Sequence, residues 1–437
     1  MSRSIVQGSS NRPARRFGPL PLGRQASLWV SAGVVANTLW TSAAPAMTYQ
    51  IYAEEWRLTH TVTTGIFAIY PIVVVTILVL FGDISDHIGR RTTMLLGLGA
   101  SLIGVFLFAV APNVLWLFAG RAFMGVGVGL TAGPSTAAVL EFSAERQAKR
   151  AASITAAAQA FGLAAALLLG GGLTQYAPWP THLSFWVLFA LIALLFTATW
   201  FLPRHVSGHS ASRWRPQLPS LPSGLRPAFA LASIAVTTAY AHGVLILSLG
   251  GQVARDLVGS PNALVNGTAL SLFAITFGVL GIVGRDLRPR PAMMLGAIAS
   301  SAGMGLLALS VAWHGLSIFL AATAVSGVGY SLLFLGGLAL INSAVPAEHR
   351  GGVLSALYLS AYLSLGAVAL ILGAVATQRG LALAVNLGAG IITLLSLATI
   401  GLIVILRTSL NATAMPSPTV STSLAAPFSG VRGDEPA

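Results

Sequence analysis

The chain has 437 residues, of which 55% are hydrophobic and 8% are charged, and its mean hydropathy is +0.81. One soluble core cannot bury so much apolar surface, so the composition predicts an integral membrane protein. The net charge of +13 is spread along the chain, which argues against nucleic-acid binding, and the lack of cysteine excludes disulfides and thiol nucleophiles.

The first 26 residues form a basic tail with five arginines and no acidic residue. The apolar run that follows lacks a small-residue cleavage site, so we expect a retained first helix and not a signal peptide. Twelve apolar segments are long enough to cross about 30 Å of hydrocarbon as helices of about 20 residues. The predicted spans run over 27–47, 64–82, 93–111, 114–140, 151–173, 183–202, 227–250, 262–284, 292–313, 316–342, 351–375 and 380–406.

The loop between the second and third spans concentrates charge in this apolar chain. It reads Gly82-x-x-x-Asp86-His87-x-Gly89-Arg90-Arg91. The loop resembles the signature loop of the major facilitator superfamily of secondary transporters, which usually has a fixed cation where this chain has His87. The resemblance implies two six-helix halves that rock around a central site. A simpler interpretation is a basic turn that fixes the topology, with Gly89 supplying backbone freedom.

The fourth span contains a second resemblance to the same family. Arg121 is followed by Gly125, Gly127 and Gly129, and glycines at this spacing let helix backbones approach closely in lipid. Arg121 lies seven residues into the span, or about 10 Å deep by helical rise. We therefore expect it to face the bundle interior or a water-filled cavity, with snorkelling to the outer interface as the alternative.

Glu141 follows the fourth span and begins a charge cluster that resembles one found there in many superfamily members. We expect Glu141 to accept a hydrogen bond from Arg90 or Arg91. Asp86 is expected to meet the start of the eleventh span near Gly351–Gly352, where unpaired N–H groups attract an anion. The predicted cytoplasmic latch comprises Gly82, Asp86, His87, Gly89, Arg90, Arg91 and Glu141. A solvated, topology-fixing charge run is the alternative.

Residues 203–226, rich in Pro, Ser and Arg, are the longest polar interval inside the chain. They predict a cytoplasmic linker between an N-terminal six-helix bundle at 27–202 and a C-terminal six-helix bundle at 227–406. The two halves repeat each other weakly, since Gly125-Val126-Gly127 recurs as Gly327-Val328-Gly329. The predicted fold is therefore all-α and integral to the membrane, with twelve transmembrane helices in two six-helix bundles.

Basic residues follow the predicted topology. With both termini in the cytoplasm, twenty Lys and Arg lie inside and three lie outside, at Arg57, Arg255 and Arg379. This asymmetry predicts a multi-pass protein of the cell's inner membrane with both termini cytoplasmic. Residues 407–437, rich in Ser, Thr, Pro and Ala, predict a disordered cytoplasmic tail. The 23 arginines against a single lysine, Lys149, are typical of a GC-rich bacterial genome.

Candidates for the substrate cavity are polar or aromatic residues on the spans that the superfamily uses to line its pore. They are Asn37, Trp40, Tyr70, Gln159, His242, Tyr330, Tyr358 and Tyr362. Tyr240 lies two residues from His242 and cannot share its helix face. We expect His242 inward, because an ionisable ring avoids lipid more strongly than a phenol. Ordinary packing, hydrogen bonding between helices or a lipid-interface belt is the alternative for these side chains.

No Asp or Glu lies in the middle of a predicted span, and His242 is the only histidine well inside one. Its reference pKa near 6.5 makes proton coupling one hypothesis, and a buried hydrogen-bonded histidine is the other. We predict a secondary active transporter that moves a small organic solute by alternating access with proton coupling. The alternatives are an uncoupled facilitator and a transport-dead membrane sensor or scaffold.

The expected partners are a small-molecule substrate, protons as the coupling ion and the lipid bilayer, and the chain is expected to act as a monomer. No nucleophile, paired-carboxylate or metal-ligand constellation occurs within the spans. Neither an enzyme nor a cofactor or metal site is therefore expected. The fold alone does not specify the substrate.

Overall fold

The computed structural model describes residues 22–82, 84–143, 148–203, 225–345 and 347–413. Over these residues all regular structure is helical, and twelve long helices follow the predicted spans. They are α1 (Arg24–Ala43), α2 (His60–Phe81), α3 (Arg90–Ala109), α4 (Val114–Phe142), α5 (Ala148–Tyr176), α6 (Leu183–Trp200), α7 (Arg226–Gly243), α8 (Ala263–Val283), α9 (Pro289–Trp313), α10 (Leu316–Ala344), α11 (Ala347–Arg379) and α12 (Leu381–Thr413). Most of the predicted linker and tails lies outside the described residues.

Eleven of the twelve described helices are long and apolar enough to cross a membrane by length and composition, and α1 is the exception. Its lower hydropathy has a structural reason. Ser27, Ser31, Asn37 and Thr41 are buried against neighbouring helices and do not face the outside. α1 is therefore an internal helix of the bundle whose polar face is covered by protein.

The helices alternate in direction, which gives the molecule two ends. The N–H of Leu22 donates to Phe201 O at 3.0 Å, so α1 begins where α6 ends, at what we term the terminal end. His182 Nδ1 lies 2.9 Å from Ala109 O at the opposite end, termed the far end. An even number of helices places the described start and finish of the chain at the terminal end.

Helices α1–α6 pack on one another, as do α7–α12, and the two sets meet along α5 with α8 and α2 with α11. The backbones approach closely at these contacts. A Cβ added to Gly267 of α8 would lie 2.3 Å from Leu167 O of α5, and one on Gly373 of α11 would collide with Thr64 of α2. Small residues thus permit the close packing that associates helices in lipid.

Apolar side chains cover the outside of the bundle. Leu194 of α6 and Leu394 of α12 are each 67% exposed. Two tryptophans near helix ends are also exposed, Trp29 toward the terminal end and Trp313 at the far end. Such a surface fits lipid contact along the helices, with aromatic rings at the two interfaces.

α7 departs most from its predicted span, which ends at 250. The helix continues through two π-helical turns, Val244–Ser248 and Val253–Leu257, with a short helix at Gly250–Gln252 between them. π-Helical turns occur mostly as single turns within helices and are frequent at functional sites. The continuation carries polar residues of α7 to the far end of the molecule.

The start of α11 and the end of α12 also differ from the prediction. α11 begins at Ala347, so Gly351 and Gly352 lie within the helix and not among its first four N–H groups. Hydropathy missed this turn because it includes the charged residues Glu348 and Arg350. α12 runs to Thr413, seven residues into the predicted disordered tail, since no glycine or proline interrupts 407–413.

Candidate functional site

Within the described parts of the predicted spans, Arg121 is the only charged residue that lies away from the terminal turns. Its side chain is fully buried, so it faces the bundle interior and does not snorkel. Nη1 donates to Ser42 O at 3.1 Å and to Thr41 O at 3.5 Å, in the last turn of α1. In a continuous helix Thr41 O would bond residue 45, but Pro45 has no N–H. Arg121 therefore serves a carbonyl that the proline leaves free.

Two aromatic rings of α2 flank the guanidinium group. Its central carbon lies 4.4 Å from the ring centroid of Tyr70 and 5.8 Å from that of Phe67, within the range of cation–π attraction. Nε and Nη2 of Arg121 are buried with no hydrogen-bond partner among the described residues. The only acidic residues of the twelve helices, Glu141 and Glu348, lie in terminal turns. Arg121 is thus a buried cation with no acidic partner, and the buried phenol of Tyr49, which also has no hydrogen-bond partner among the described residues, lies beside it.

Three tyrosines from three helices meet in the C-terminal half. The ring centroid of Tyr240 on α7 lies 4.9 Å from that of Tyr362 on α11 and 6.5 Å from that of Tyr330 on α10. We term these three residues the tyrosine cluster. All three are partly exposed although they lie well inside their helices and pack on one another, so they border space between helices. Tyr358, one turn from Tyr362, is also partly exposed.

Tyr70 connects Arg121 with the tyrosine cluster across the two halves. Its ring packs on Arg121, and the helix that carries it packs against α11, which carries Tyr362. α2 and α11 run side by side here, since a Cβ on Gly366 would lie 3.3 Å from the side chain of Ile72. The structure therefore brings four predicted site residues into one interior region, namely Tyr70, Arg121, Tyr330 and Tyr362.

His242 is held by hydrogen bonds inside the C-terminal half. Its ring is fully buried, with Nδ1 3.0 Å from Thr238 O and Nε2 3.1 Å from Ser300 Oγ on α9. A neutral imidazole satisfies both contacts by donating from Nδ1 and accepting at Nε2. His242 is therefore buried inside the C-terminal half and does not face lipid, as expected. Tyr240, two residues away, packs on Tyr330 and Tyr362. Whether either side chain lines the substrate cavity stays a prediction.

Three other cavity candidates lie elsewhere. Asn37 is buried, and its Oδ1 accepts a hydrogen bond from Thr41 Oγ1 at 3.3 Å. Trp40 lines a groove with Leu169 and Val187, whose side chains are exposed on the outside of the bundle. Gln159 is partly buried on α5. Over the described residues, no hydrogen bond joins these three side chains to Arg121 or to the tyrosine cluster.

At the terminal end, Arg90 forms an ion pair with Glu141 and donates to Ala137 O at 3.3 Å. The ion pair is one of the two contacts expected for Glu141. Arg91 donates to Leu202 O at 3.3 Å. Arg90 and Arg91 thus fasten the start of α3 to the ends of α4 and α6 within the N-terminal half.

The rest of the predicted latch precedes α3. Gly89 has a φ of 88°, in the left-handed region that favours glycine, and it turns the chain from a short helix at Ile84–Ile88 into α3. Asp86 on that short helix is exposed, and His87 is partly exposed. The side chains at 346–351 lie outside the described part, so the contact of Asp86 with α11 stays a prediction.

Polar contacts join the two halves at the far end. Arg255 Nη1 pairs with Glu54 Oε1 at 2.5 Å, and the N–H of Thr61 donates to Thr377 Oγ1 at 2.9 Å. His60 Nδ1 lies 2.7 Å from Gln252 Oε1 and donates to it. The residues Glu54, His60, Thr61, Gln252, Arg255 and Thr377 are together termed the far-end gate.

Polar groups around the far-end gate are not all satisfied. Gln252 Nε2 and Gln50 Oε1 are buried and have no hydrogen-bond partner among the described residues. Burial raises the pKa of the nearby Asp256 carboxyl, an effect that Arg255 and His60 oppose. Buried groups without hydrogen-bond partners weaken a closed interface, which suits contacts that open.

Sequence reasoning missed Tyr240 and the whole far-end gate. Tyr240 had a signal, because it is a mid-span aromatic on a helix that the family uses for its pore. The sequence contains almost nothing that predicts the contacts of the far-end gate. Glu54 and Arg255 lie about 200 residues apart, and no local pattern specifies that the loops carrying them meet.

Comparisons with known proteins agree with this architecture. Over 162 residues the chain is 29% identical to the multidrug efflux pump LfrA of Mycolicibacterium smegmatis, covering 35% of this chain and 31% of that protein. Over 154 residues it is 24% identical to the riboflavin transporter RibZ of Clostridioides difficile, covering 35% and 34%. Each match thus spans about a third of the relative's length.

Two crystal structures of the nucleoside transporter NupG, one of them a point mutant, share the fold with a TM-score of 0.69 at 14% identity. Each match covers 87% of this chain, together with 100% of the NupG chain in the mutant structure and 98% in the other. The family model described as Major Facilitator Superfamily matches residues 29–285, more than half of the chain, including the loop at 82–91 and the Arg121 glycine motif. The chain is therefore a multi-pass α-helical membrane protein that belongs to the Major Facilitator Superfamily.

Proposed function

We propose that the protein is a secondary transporter that moves a small organic solute across the membrane by alternating access. The observation that carries this proposal is an interior region to which both halves contribute, with Arg121 and Tyr70 in one half and, on the helix packed against α2, Tyr362 in the other. Alternating access requires such a shared site, because rocking of the halves must expose the same groups to each side in turn.

The relatives support transport as the activity. One is a multidrug efflux pump and another a riboflavin transporter, and they resemble this chain over about a third of their length. We therefore propose transport for this chain on the basis of these relatives, and we do not assign it their individual substrates. The distribution of basic residues supports a terminal end that faces the cytoplasm in the inner membrane.

The predicted latch fits this mechanism at the terminal end. The Arg90–Glu141 pair lies within the N-terminal half, so it holds the loop before α3 in place while the halves move. Asp86 is the group we propose to reach across to the first N–H groups of α11, at 347–350.

The second candidate is an uncoupled facilitator. The observation that favours it is the lack of a free titratable group in the described spanning helices, since His242 has partners at both ring nitrogens. A proton-coupled mechanism would have to use groups outside the predicted spans. Asp256, which follows Arg255 of the far-end gate and whose carboxyl has a pKa raised by burial, is the group we propose for that role.

Purified protein in proteoliposomes, with an imposed pH gradient and a panel of solutes, tests the proposal when solute and proton fluxes are recorded together. Solute flux with proton flux indicates coupling, and solute flux alone indicates a facilitator. Folded protein that moves no solute faster than empty liposomes would contradict transport itself.

Alternating access is tested by locking the far end. Thr61 Oγ1 and Thr377 Oγ1 lie 2.9 Å apart, and the chain has no cysteine of its own. We expect the double variant Thr61→Cys/Thr377→Cys to lose solute flux on oxidation and regain it on reduction. The single-cysteine variants are the controls, and flux that persists through the oxidised double variant would exclude a far end that opens.

A further inference from the structure

The charge of the interior restricts the class of substrate. Arg121 is a permanent cation, and its Nε and Nη2 have no hydrogen-bond partner among the described residues. A buried charge is costly unless it is paired, so an anion that accepts hydrogen bonds from these two groups is stabilised there. A cationic solute would meet repulsion from Arg121 and no carboxylate within the spans. The interior therefore favours anions over cations.

The aromatic side chains restrict the shape of the substrate. Tyr330 has the ring of Phe277 at 5.1 Å and that of Phe273 at 5.3 Å, both edge to face. Tyr240 and Tyr362 also meet edge to face, at 4.9 Å and 81°. Aromatic rings favour edge-to-face or offset contacts with a further ring, and the phenols add hydrogen-bonding groups. The partly exposed tyrosine cluster thus suits a flat aromatic body.

The two features lie about one small molecule apart. Counted from the far-end starts of their helices, Arg121 is seven residues into α4 and Tyr330 is fourteen residues into α10. At about 1.5 Å per residue these depths are roughly 10 and 21 Å. Tyr70, ten residues into α2, is about 15 Å deep and lies between them. The separation fits a two-ring aromatic acid with its anionic group toward Arg121.

We propose that the substrate is an aromatic organic anion. Its anionic group pairs with Nε and Nη2 of Arg121, and its rings lie against the tyrosine cluster of Tyr240, Tyr330 and Tyr362. This inference rests on the proposed transport function and adds the substrate class to it. It separates this chain from carriers of organic cations, which need an acidic group in the interior.

Three probes that differ in charge test the anionic part. They are 2-naphthoate, 2-naphthylmethanol and 2-naphthylmethylammonium, whose binding is measured by thermal shift of the purified protein and whose inhibition of flux is measured in proteoliposomes. We expect naphthoate to bind at least about tenfold more tightly than the ammonium probe. Arg121→Gln should abolish this preference and Arg121→Lys should retain part of it. Arg379→Gln, which removes an exposed arginine at the end of α11, is the matched control and should change nothing.

The aromatic part is tested by comparing naphthoate with heptanoate, an aliphatic acid. We expect Tyr330→Leu to weaken naphthoate binding several-fold and to leave heptanoate binding unchanged. Equal losses for the two acids would remove the tyrosine cluster from recognition.

Four outcomes overturn the proposal or its basis. Wild-type protein that binds the ammonium probe as tightly as naphthoate would overturn the anion class, and this holds even where Arg121→Gln fails to fold. A folded Arg121→Gln protein that keeps the anion preference would remove Arg121 from the site. Transport confined to cationic or neutral solutes would defeat the substrate class and leave transport standing, whereas no flux of any solute would defeat the proposed function.

Discussion

Arg121 contributes to the fold as well as to the site. Pro45 ends α1 and leaves Thr41 O without its helical donor, and Nη1 of Arg121 fills that place. An arginine has five donor hydrogens in a planar fork, so Nε and Nη2 remain for another partner. A lysine has a single nitrogen and cannot serve both directions with the same geometry. An arginine at position 121 is thus explained by two roles together: Nη1 bonds the end of α1, and Nε and Nη2 are left for the proposed substrate.

The contacts of His242 predict a structural role. We expect His242→Gln to keep solute flux and its pH profile, because a glutamine amide can also donate to Thr238 O and accept from Ser300 Oγ. His242→Leu should lower stability by about 1–3 kcal/mol, since it removes both hydrogen bonds. Thermal unfolding and flux between pH 5 and 8, the range in which histidine titrates, are the measurements.

Ser300→Ala is the control for the His242 variants, because it removes only one of the two partners and should cost less stability. A wild-type pH dependence that disappears in His242→Gln would restore the histidine as a proton site. Such a result would also show that the Ser300 contact breaks during transport.

Residue types at the site could be predicted from the sequence, but their pairings could not. Tyr330 and Tyr362 were found because they are aromatic and lie mid-span on helices that line the family's pore. The packing of Tyr70 on Arg121 depends on the rotation of α2 against α4, which helical periodicity does not specify. The partners of His242 were hidden for the same reason, because hydrophobicity does not reveal that Ser300 on α9 meets the imidazole.

At the scale of helices, hydropathy located all twelve spans to within a few residues, because the hydrocarbon thickness sets the length of a spanning helix. The errors occur where the chain leaves the hydrocarbon. α11 begins earlier and α12 ends later than predicted, since helix formation outside the lipid depends on helix propensity. The second π-helical turn after α7 carries Arg255, which belongs to the far-end gate. The periodicity of apolar residues predicts neither the π-helical turns nor the contacts of the gate.

Two glycines on α4 predict opposite responses to the same substitution. A Cβ on Gly127 would lie 2.7 Å from Gly97 O and 2.9 Å from Ser101 N on α3, whereas a Cβ on Gly133 would meet nothing within 4 Å. We expect Gly127→Ala to destabilise the protein by about 1–3 kcal/mol through overpacking. Gly133→Ala should be neutral or stabilising, because alanine favours the helix. Thermal unfolding midpoints in detergent compare them, and equal midpoints would contradict the close contact of α3 with α4.

At the scale of the whole molecule, the two halves meet along small-residue seams and carry polar contacts at both ends. The far-end gate holds one end together, and the predicted latch around Asp86 belongs to the other. A contact made in only one of two conformations shifts their equilibrium by its own free energy. Removing contacts at opposite ends should therefore move the molecule in opposite directions.

Arg255→Gln and Asp86→Asn test this expectation as a pair. The Arg255–Glu54 pair is partly exposed, so its loss should shift the equilibrium toward an open far end by no more than about fivefold, the equivalent of about 1 kcal/mol. Asp86→Asn should shift it toward an open terminal end and abolish transport while membrane insertion stays intact. A single cysteine at Tyr358, labelled from each side of the membrane by an impermeant thiol reagent, reports both changes because the chain has no other cysteine.

Glu55→Gln is the matched control for this pair, because Glu55 adjoins Glu54 and lies outside the far-end gate. It should leave labelling from both sides unchanged. If Arg255→Gln and Asp86→Asn increased labelling from the same side, the two contacts would belong to one conformation, and the latch would not oppose the gate. If Asp86→Asn kept wild-type flux and labelling, the charge of the loop before α3 would serve topology alone, since the positive-inside effect of Arg90 and Arg91 does not need Asp86.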